Sequence, residues 1–146
     1  MSETEHLTRR PRIGPGEPVG VTETMIGAVV ETFYAKVRRD AILGPIFNDA
    51  VDDWPDHLAK LKDFWSSVLL MTGRFKGQPM VVHAALPDIG RGHFDHWLAL
   101  FAETVDDLCP PDAAALFRQN ASMIAESLQL GIAVSRGELP PLTRRP

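Results

Sequence analysis

The sequence is poor in the features that define several large protein classes. It has one cysteine, Cys109, in 146 residues, which excludes an internal disulfide and a thiolate metal cluster. A lone thiol suits a reducing compartment. The dense apolar runs, such as VLLM at 68–71, fall far short of the roughly 20 residues of a membrane span. Residues 1–20 carry Glu, Arg, Pro and Gly where a secretory signal needs an apolar stretch. Lys and Arg number 15 against 19 Asp and Glu, a net charge of −4. That balance leaves no basic footprint for nucleic acid or a membrane surface. There is no Gly-rich phosphate loop, no nucleophile elbow and no nucleic-acid module. Neither a strand pattern nor an internal repeat stands out. The expectation is a soluble, cytoplasmic protein.

The composition, 45% hydrophobic and 23% charged, is that of one globular domain able to bury a core. Residues 1–20 lack periodicity and read as a flexible extension that would be ordered only by docking on the body or on a second subunit. The domain is expected over residues 21–137, followed by a loose proline-rich tail at 138–146.

Helical spacing dominates the domain. From 22 to 39, Met25, Ile26, Val29, Val30, Phe33, Tyr34 and Val37 form one stripe behind a Thr22 cap. Residues 40–53, with Gly44-Pro45, read as a turn-rich connection whose Leu43, Ile46 and Phe47 anchor it to the core. A helix capped by Asp53 carries Trp54, His57, Leu58, Leu61, Phe64, Trp65, Val68 and Leu69 on one side, with Gly73 as its αL stop. A helix at about 93–108 presents Phe94, Trp97, Leu98, Phe101, Val105 and Leu108. The last helix, capped by Asp112, runs through Leu116, Phe117, Asn120, Ile124 and Leu128 to Gly137. The class is all-α.

Between these helices lies FKGQPMVVHAALP, residues 75–87. Pro79 suits a first helical turn and Pro87 stops continuation. His83 is therefore held on a helix of about two turns, too short to stand alone in water. A histidine in apolar company is more often a core residue bonded to a carbonyl than a ligand. Here, however, Tyr34, His57 and Trp97 also bring polar tips onto the apolar stripes of three other helices. Convergence on one cavity suits a flat iron cofactor, ligated on one face and met by donors on the other. Zinc fits less well, because no third inward ligand completes a tetrahedron. His93 and His96 share a helix face but lack a third ligand and read as surface residues. His6 and Cys109 carry no signal.

These residues fall into runs that resemble the truncated haemoglobins, specifically group III. The runs are Phe33-Tyr34, Val37-Arg38-Arg39-Asp40, Leu43-Gly44-Pro45-Ile46-Phe47, Trp54-Pro55-Asp56-His57-Leu58, Phe64-Trp65, Gly77-Gln78-Pro79, His83, and His93-Phe94-Asp95-His96-Trp97-Leu98-Ala99-Leu100-Phe101. They cover about residues 21–130. The resemblance implies a two-over-two helical sandwich around haem b, with His83 ligating the iron. It also implies Phe47 against the porphyrin and Tyr34, His57 and Trp97 as the polar set on the opposite face. Phe33, Leu58, Leu61, Trp65, Val82 and Phe94 would line the haem, and Lys60 and Arg91 are candidates for its propionates.

Such a site would bind O2, and with it NO and CO, at five-coordinate ferrous iron. Several donors slow ligand release, which favours NO or peroxide chemistry over simple oxygen transport. Turnover would require an electron donor that the sequence does not identify. No acidic residue precedes Asp88 on the His83 segment, so a carbonyl is the expected partner of its second ring nitrogen. A haem-based sensor or redox partner without turnover, and a haem-free helical interaction module, are the alternatives from other classes.

Overall fold

The computed structural model describes residues 13–76 and 90–135, together with Gly137. Among them the chain forms five α-helices and no strand: α1 (Glu23–Arg39), α2 (Leu43–Ala50), α3 (Trp54–Leu70), α4 (Arg91–Leu108) and α5 (Pro111–Ser135). A 3-10 turn, Glu17–Val19, precedes α1. The expected all-α class is what the chain adopts. The segment around His83 lies outside the described residues, as does the tail.

Helix α1 is the hub, packing on α2, α3 and α4, while α4 also packs on α5. Its start is the expected one: Thr22 Oγ1 accepts the Met25 N–H at 3.1 Å. That bond satisfies one of the donors a helix leaves unpaired. Ile26, Val29, Val30, Phe33, Tyr34 and Val37 are all buried, so the 3–4 spacing becomes one continuous core face. Asp53 likewise caps α3 through the Asp56 N–H at 3.1 Å. On α5 the buried face is built largely from Ala113, Ala114, Ala121 and Ala125 around Phe117 and Leu128. Small side chains there let α4 approach closely.

The centre of the core is aromatic. Phe33 meets Phe101 edge-on at 5.0 Å and Trp97 at 5.4 Å. Phe101 is stacked between Trp65 at 5.4 Å and Trp97 at 5.8 Å. Such pairs add about 0.5–1.5 kcal/mol each beyond the area they bury, so α1, α3 and α4 are fixed at one junction.

Four local readings change. Residues 43–50 are helix α2, not a turn-rich link. Pro45 occupies the third helical position, where the missing N–H forfeits no helix bond. Asp40 Oδ2 meanwhile accepts the N–H groups of Ile42 and Leu43, both at 2.9 Å. The left-handed residue that ends α3 is Met71, with φ 56°, not Gly73, which is left-handed two residues later. Helix α5 begins at Pro111, so Asp112 lies inside its first turn. Finally, the chain read as loose up to residue 20 is docked from Gly14 onward. Gly14 and Gly16 are buried, and the Gly16 N–H donates to Leu69 O at 2.8 Å.

That docking demands glycine. A Cβ on Gly14 would lie 2.3 Å from Leu69 O and 2.6 Å from Leu70 Cα, which are backbone atoms that cannot rotate away. Gly14→Ala is expected to destabilise the protein by about 1–3 kcal/mol. Gly27→Ala, inside α1 with open space at its Cβ position, is expected to stabilise it by about 0.5–1 kcal/mol. Urea unfolding of both variants checks the pair of signs. Equal midpoints would show that the docked segment contributes nothing.

Candidate functional site

Consecutive residues on a helix point about 100° apart, and α1 uses this at Phe33 and Tyr34. Phe33 enters the aromatic core, while Tyr34 turns toward the space between α2, α3 and α4. Tyr34 is 3% exposed. Its ring is edge-on to Phe33 at 4.7 Å and to His57 at 6.2 Å, and lies 6.3 Å from Phe47 and 6.1 Å from Trp54. A phenol placed there needs a partner for its oxygen. Trp97, from α4, is the neighbour whose indole N–H favours charge on that oxygen. An indole N–H can only donate, so the phenol keeps its own O–H to donate. Burial pushes the phenol well above its ordinary range, and the Trp97 bond opposes this only in part. Tyr34 is therefore a neutral donor across physiological pH.

Expected site residues are thus brought together across three helices: Tyr34 from α1, His57 from α3 and Trp97 from α4. Phe47 joins them from α2 and is buried. His57 is half-buried with its Nε2 enclosed. Phe33, Trp65 and Phe94 are buried core residues, whereas Leu58 and Leu61 are half-buried beside the core. With Phe64 and Val68 these two leucines make a half-covered apolar strip along α3. Phe75 closes one end of the strip, 5.3 Å from Phe64.

Lys60 and Arg91 are solvent-exposed, and Lys60 pairs with Asp56 at 3.1 Å one turn earlier. Val82 and His83 lie outside the described residues. The lone thiol of Cys109 is half-buried; burial, then the nearby Asp106 carboxylate, pushes it upward, away from a reactive thiolate.

Two features of the site escaped the sequence reading. Trp54 is part of the cluster, 5.5 Å from His57, with the Arg38 guanidinium 4.7 Å above its ring. Its position three residues before His57 on the same stripe was the available signal. The second feature is a correction. His96 is not a surface histidine: its Nε2 lies 2.8 and 2.9 Å from the two carboxylate oxygens of Asp40. His93 also has structural work, its Nδ1 accepting the Gly90 N–H at 3.0 Å at the start of α4. Among the described residues no three His, Cys, Asp or Glu side chains gather as a metal site. None of the helices among them is long and apolar enough to cross a membrane.

The helical arrangement and this polar-tipped aromatic cluster together define a truncated globin. The fold is the two-over-two helical sandwich, matching the crystal structure of the group III truncated hemoglobin from Campylobacter jejuni. That match has a TM-score of 0.72 and 37% identity, over 77% of this chain and 91% of that one. The group II truncated hemoglobin from Bacillus anthracis shares the fold, with a TM-score of 0.64 and 22% identity over 82% of this chain and 92% of that one. In sequence, the group 3 truncated hemoglobin of Campylobacter jejuni is 37% identical over 113 residues, 75% of this chain and 89% of that protein. No protein-family profile matches. The chain belongs to the group III truncated haemoglobins.

The Tyr34–Trp97 bond has a measurable signature. Tyr34→Phe strands a buried indole N–H and is expected to destabilise the protein by about 1–3 kcal/mol. Removing both partners as Tyr34→Phe/Trp97→Phe is expected to be less destabilising than the sum of the single changes, because neither group is then left unmatched. A double-mutant cycle on urea unfolding checks it; strict additivity would show that the two side chains do not interact.

Asp40 generates a pH dependence. Burial alone would raise its carboxyl, but the Leu43 N–H, the His96 ring and the Ile42 N–H outweigh burial and hold it below the usual range. A carboxyl lowered in the folded state stabilises fully above its unfolded value near about 4. It loses that contribution as pH falls through the lower folded value. Asp40→Asn keeps an acceptor for the backbone donors but not the charge. The wild-type advantage over this variant is expected at pH 7 and to shrink on acidification toward about pH 3. An advantage that stayed constant over that range in urea titrations would refute the assignment.

Proposed function

We propose that the protein holds haem b with His83 as the axial ligand. On this reading Tyr34, His57 and Trp97 form the opposite wall, where O2, NO and CO bind. The observation that carries it is the Tyr34 hydroxyl, buried in a cluster with Phe47, Trp54 and His57 and kept neutral by that burial. The described residues fit the group. The α3 strip of Leu58, Leu61, Phe64 and Val68 is an apolar wall left half-covered, suited to a flat apolar face. Phe33, Phe47, Trp65, Val82 and Phe94 complete the lining in this reading, and Lys60 and Arg91 are the candidate partners of the propionates. When bound, haem would supply an iron able to bind diatomic gases and exchange electrons with them.

The protein's own contribution is a dry pocket and directed protons. Donation by Trp97 polarises the Tyr34 phenol and makes its O–H a stronger donor, since hydrogen bonds in series reinforce one another. A donor in a low-dielectric pocket stabilises negative charge building on a small ligand more than the same donor in water. Tyr34 does this without titrating near pH 7. His57 stands at the side, half-buried, where its ring can add a second donor. Tight retention with strong polarisation supports NO or peroxide chemistry over simple carriage; turnover then draws on a reductase or other electron donor.

The test is an absorption spectrum of protein purified from haem-replete cells: oxidised, reduced, and reduced under CO. A Soret band that shifts with CO and is lost in His83→Ala is expected. Tyr34→Phe is expected to speed O2 dissociation about tenfold or more, the equivalent of one charge-assisted hydrogen bond. Protein that stays colourless with added haemin would overturn the reading.

A further inference from the structure

The polar contact that the pocket does not use directly is the pair Asp40–His96, where the end of α1, the start of α2 and the face of α4 meet. Asp40 is the corner of the chain. Its N–H donates to Val37 O at 3.1 Å as α1 ends, and its C=O accepts the Gly44 N–H at 2.8 Å as α2 begins. Its Oδ2 accepts the Ile42 and Leu43 N–H groups, both at 2.9 Å. Helix α2 therefore starts from this one residue. His96 reaches the same carboxylate from α4, 56 positions away, with Nε2 at 2.8 and 2.9 Å from the two oxygens. A carboxylate can only accept, so Nε2 must carry a proton, which fixes the ring's tautomer or its charge.

We propose that His96 is a positioning residue: by gripping the Asp40 carboxylate it sets α2, and with it Phe47, against the Trp97 it adjoins on α4. Tyr34 lies between these two walls: its ring is 6.3 Å from Phe47, and its neighbour Phe33 is 5.4 Å from Trp97. A shift of either wall alters the surroundings of the one hydroxyl on which ligand binding turns. The Lys36–Glu103 pair at 3.6 Å also links α1 to α4, but it ends on a largely exposed carboxylate and holds α1, not α2; exposed pairs contribute little. The backbone caps on Asp40 survive loss of His96, so α2 still forms but is no longer tied to α4.

The proposal rests on the haem reading for its effect on ligands, so the experiment has two arms. Full-length His96→Leu, which removes the donor, is compared with His96→Gln, whose amide N–H can reach the carboxylate; far-UV circular dichroism confirms folding of both. In the first arm the haem-loaded ferrous protein is saturated with CO. The C–O stretching band is expected to shift or split in His96→Leu, with a several-fold change in CO dissociation, and to return to the wild-type position in His96→Gln. In the second arm the haem-free protein is labelled with 5-fluorotryptophan. The Trp97 fluorine resonance is expected to move in His96→Leu and to recover in His96→Gln.

A His96→Leu protein that is less stable but leaves both signals in place overturns the proposal, because the pair would then only hold the fold. Failure of His96→Gln to restore them overturns it as well. A wild-type protein that takes up no haem refutes the proposed function alone, and the fluorine arm then decides the positioning role.

Discussion

A phenol cannot be sunk into an aromatic core without a partner for its oxygen, and the arrangement of this protein follows from how that requirement is met. Tyr34 is buried with Trp97 beside it on α4, a donor that favours charge on its oxygen. For the indole to arrive, α4 must cross α1 at the level of Phe33, and the edge-on contacts of Phe33 with Trp97 and Phe101 fix that crossing. The same junction joins α1 to α4 and leaves the phenolic proton of Tyr34 available to donate.

The pocket is organised by unequal walls. On the α1–α4 side, Phe33, Trp97 and Phe101 are buried ring against ring. On the α3 side, Leu58, Leu61, Phe64 and Val68 are only half-covered. In the proposed haem reading, a flat cofactor would cover that apolar strip. The periphery supports it. Asp40 seeds α2 and so places Phe47, and Ser66 and Ser67 fasten the chain that leaves α3. The Ser66 hydroxyl bonds Glu23 and Thr72, both at 2.7 Å, and the Phe75 N–H donates to Ser67 at 2.8 Å.

Much of this was legible in the sequence, and the parts that were not share a cause. Tyr34, His57 and Trp97 were picked out because each lies on an apolar stripe with a polar tip, and the structure brings all three together. Phe47 was recognised as an anchor although its segment was taken for a loop. The proline that suggested a loop falls in the first helical turn, where it does no harm. The Gly14 docking was missed because a glycine signals freedom unless the neighbouring backbone is known. His96 was taken for a surface residue because its partner lies 56 positions earlier.

The amino-acid order by itself determined which face of each helix is buried, and which donors and acceptors are carried there. Those properties depend on neighbours three and four residues apart. Only the tertiary structure decided which of those groups meet, and in which direction protons point between them. That Trp97 comes to lie beside Tyr34, or that Asp40 is shared between two backbone donors and His96, depends on how α1, α2 and α4 cross. The crossing is set by the summed packing of Phe33, Trp65, Trp97 and Phe101, a contact among residues distant in the chain that no local pattern encodes.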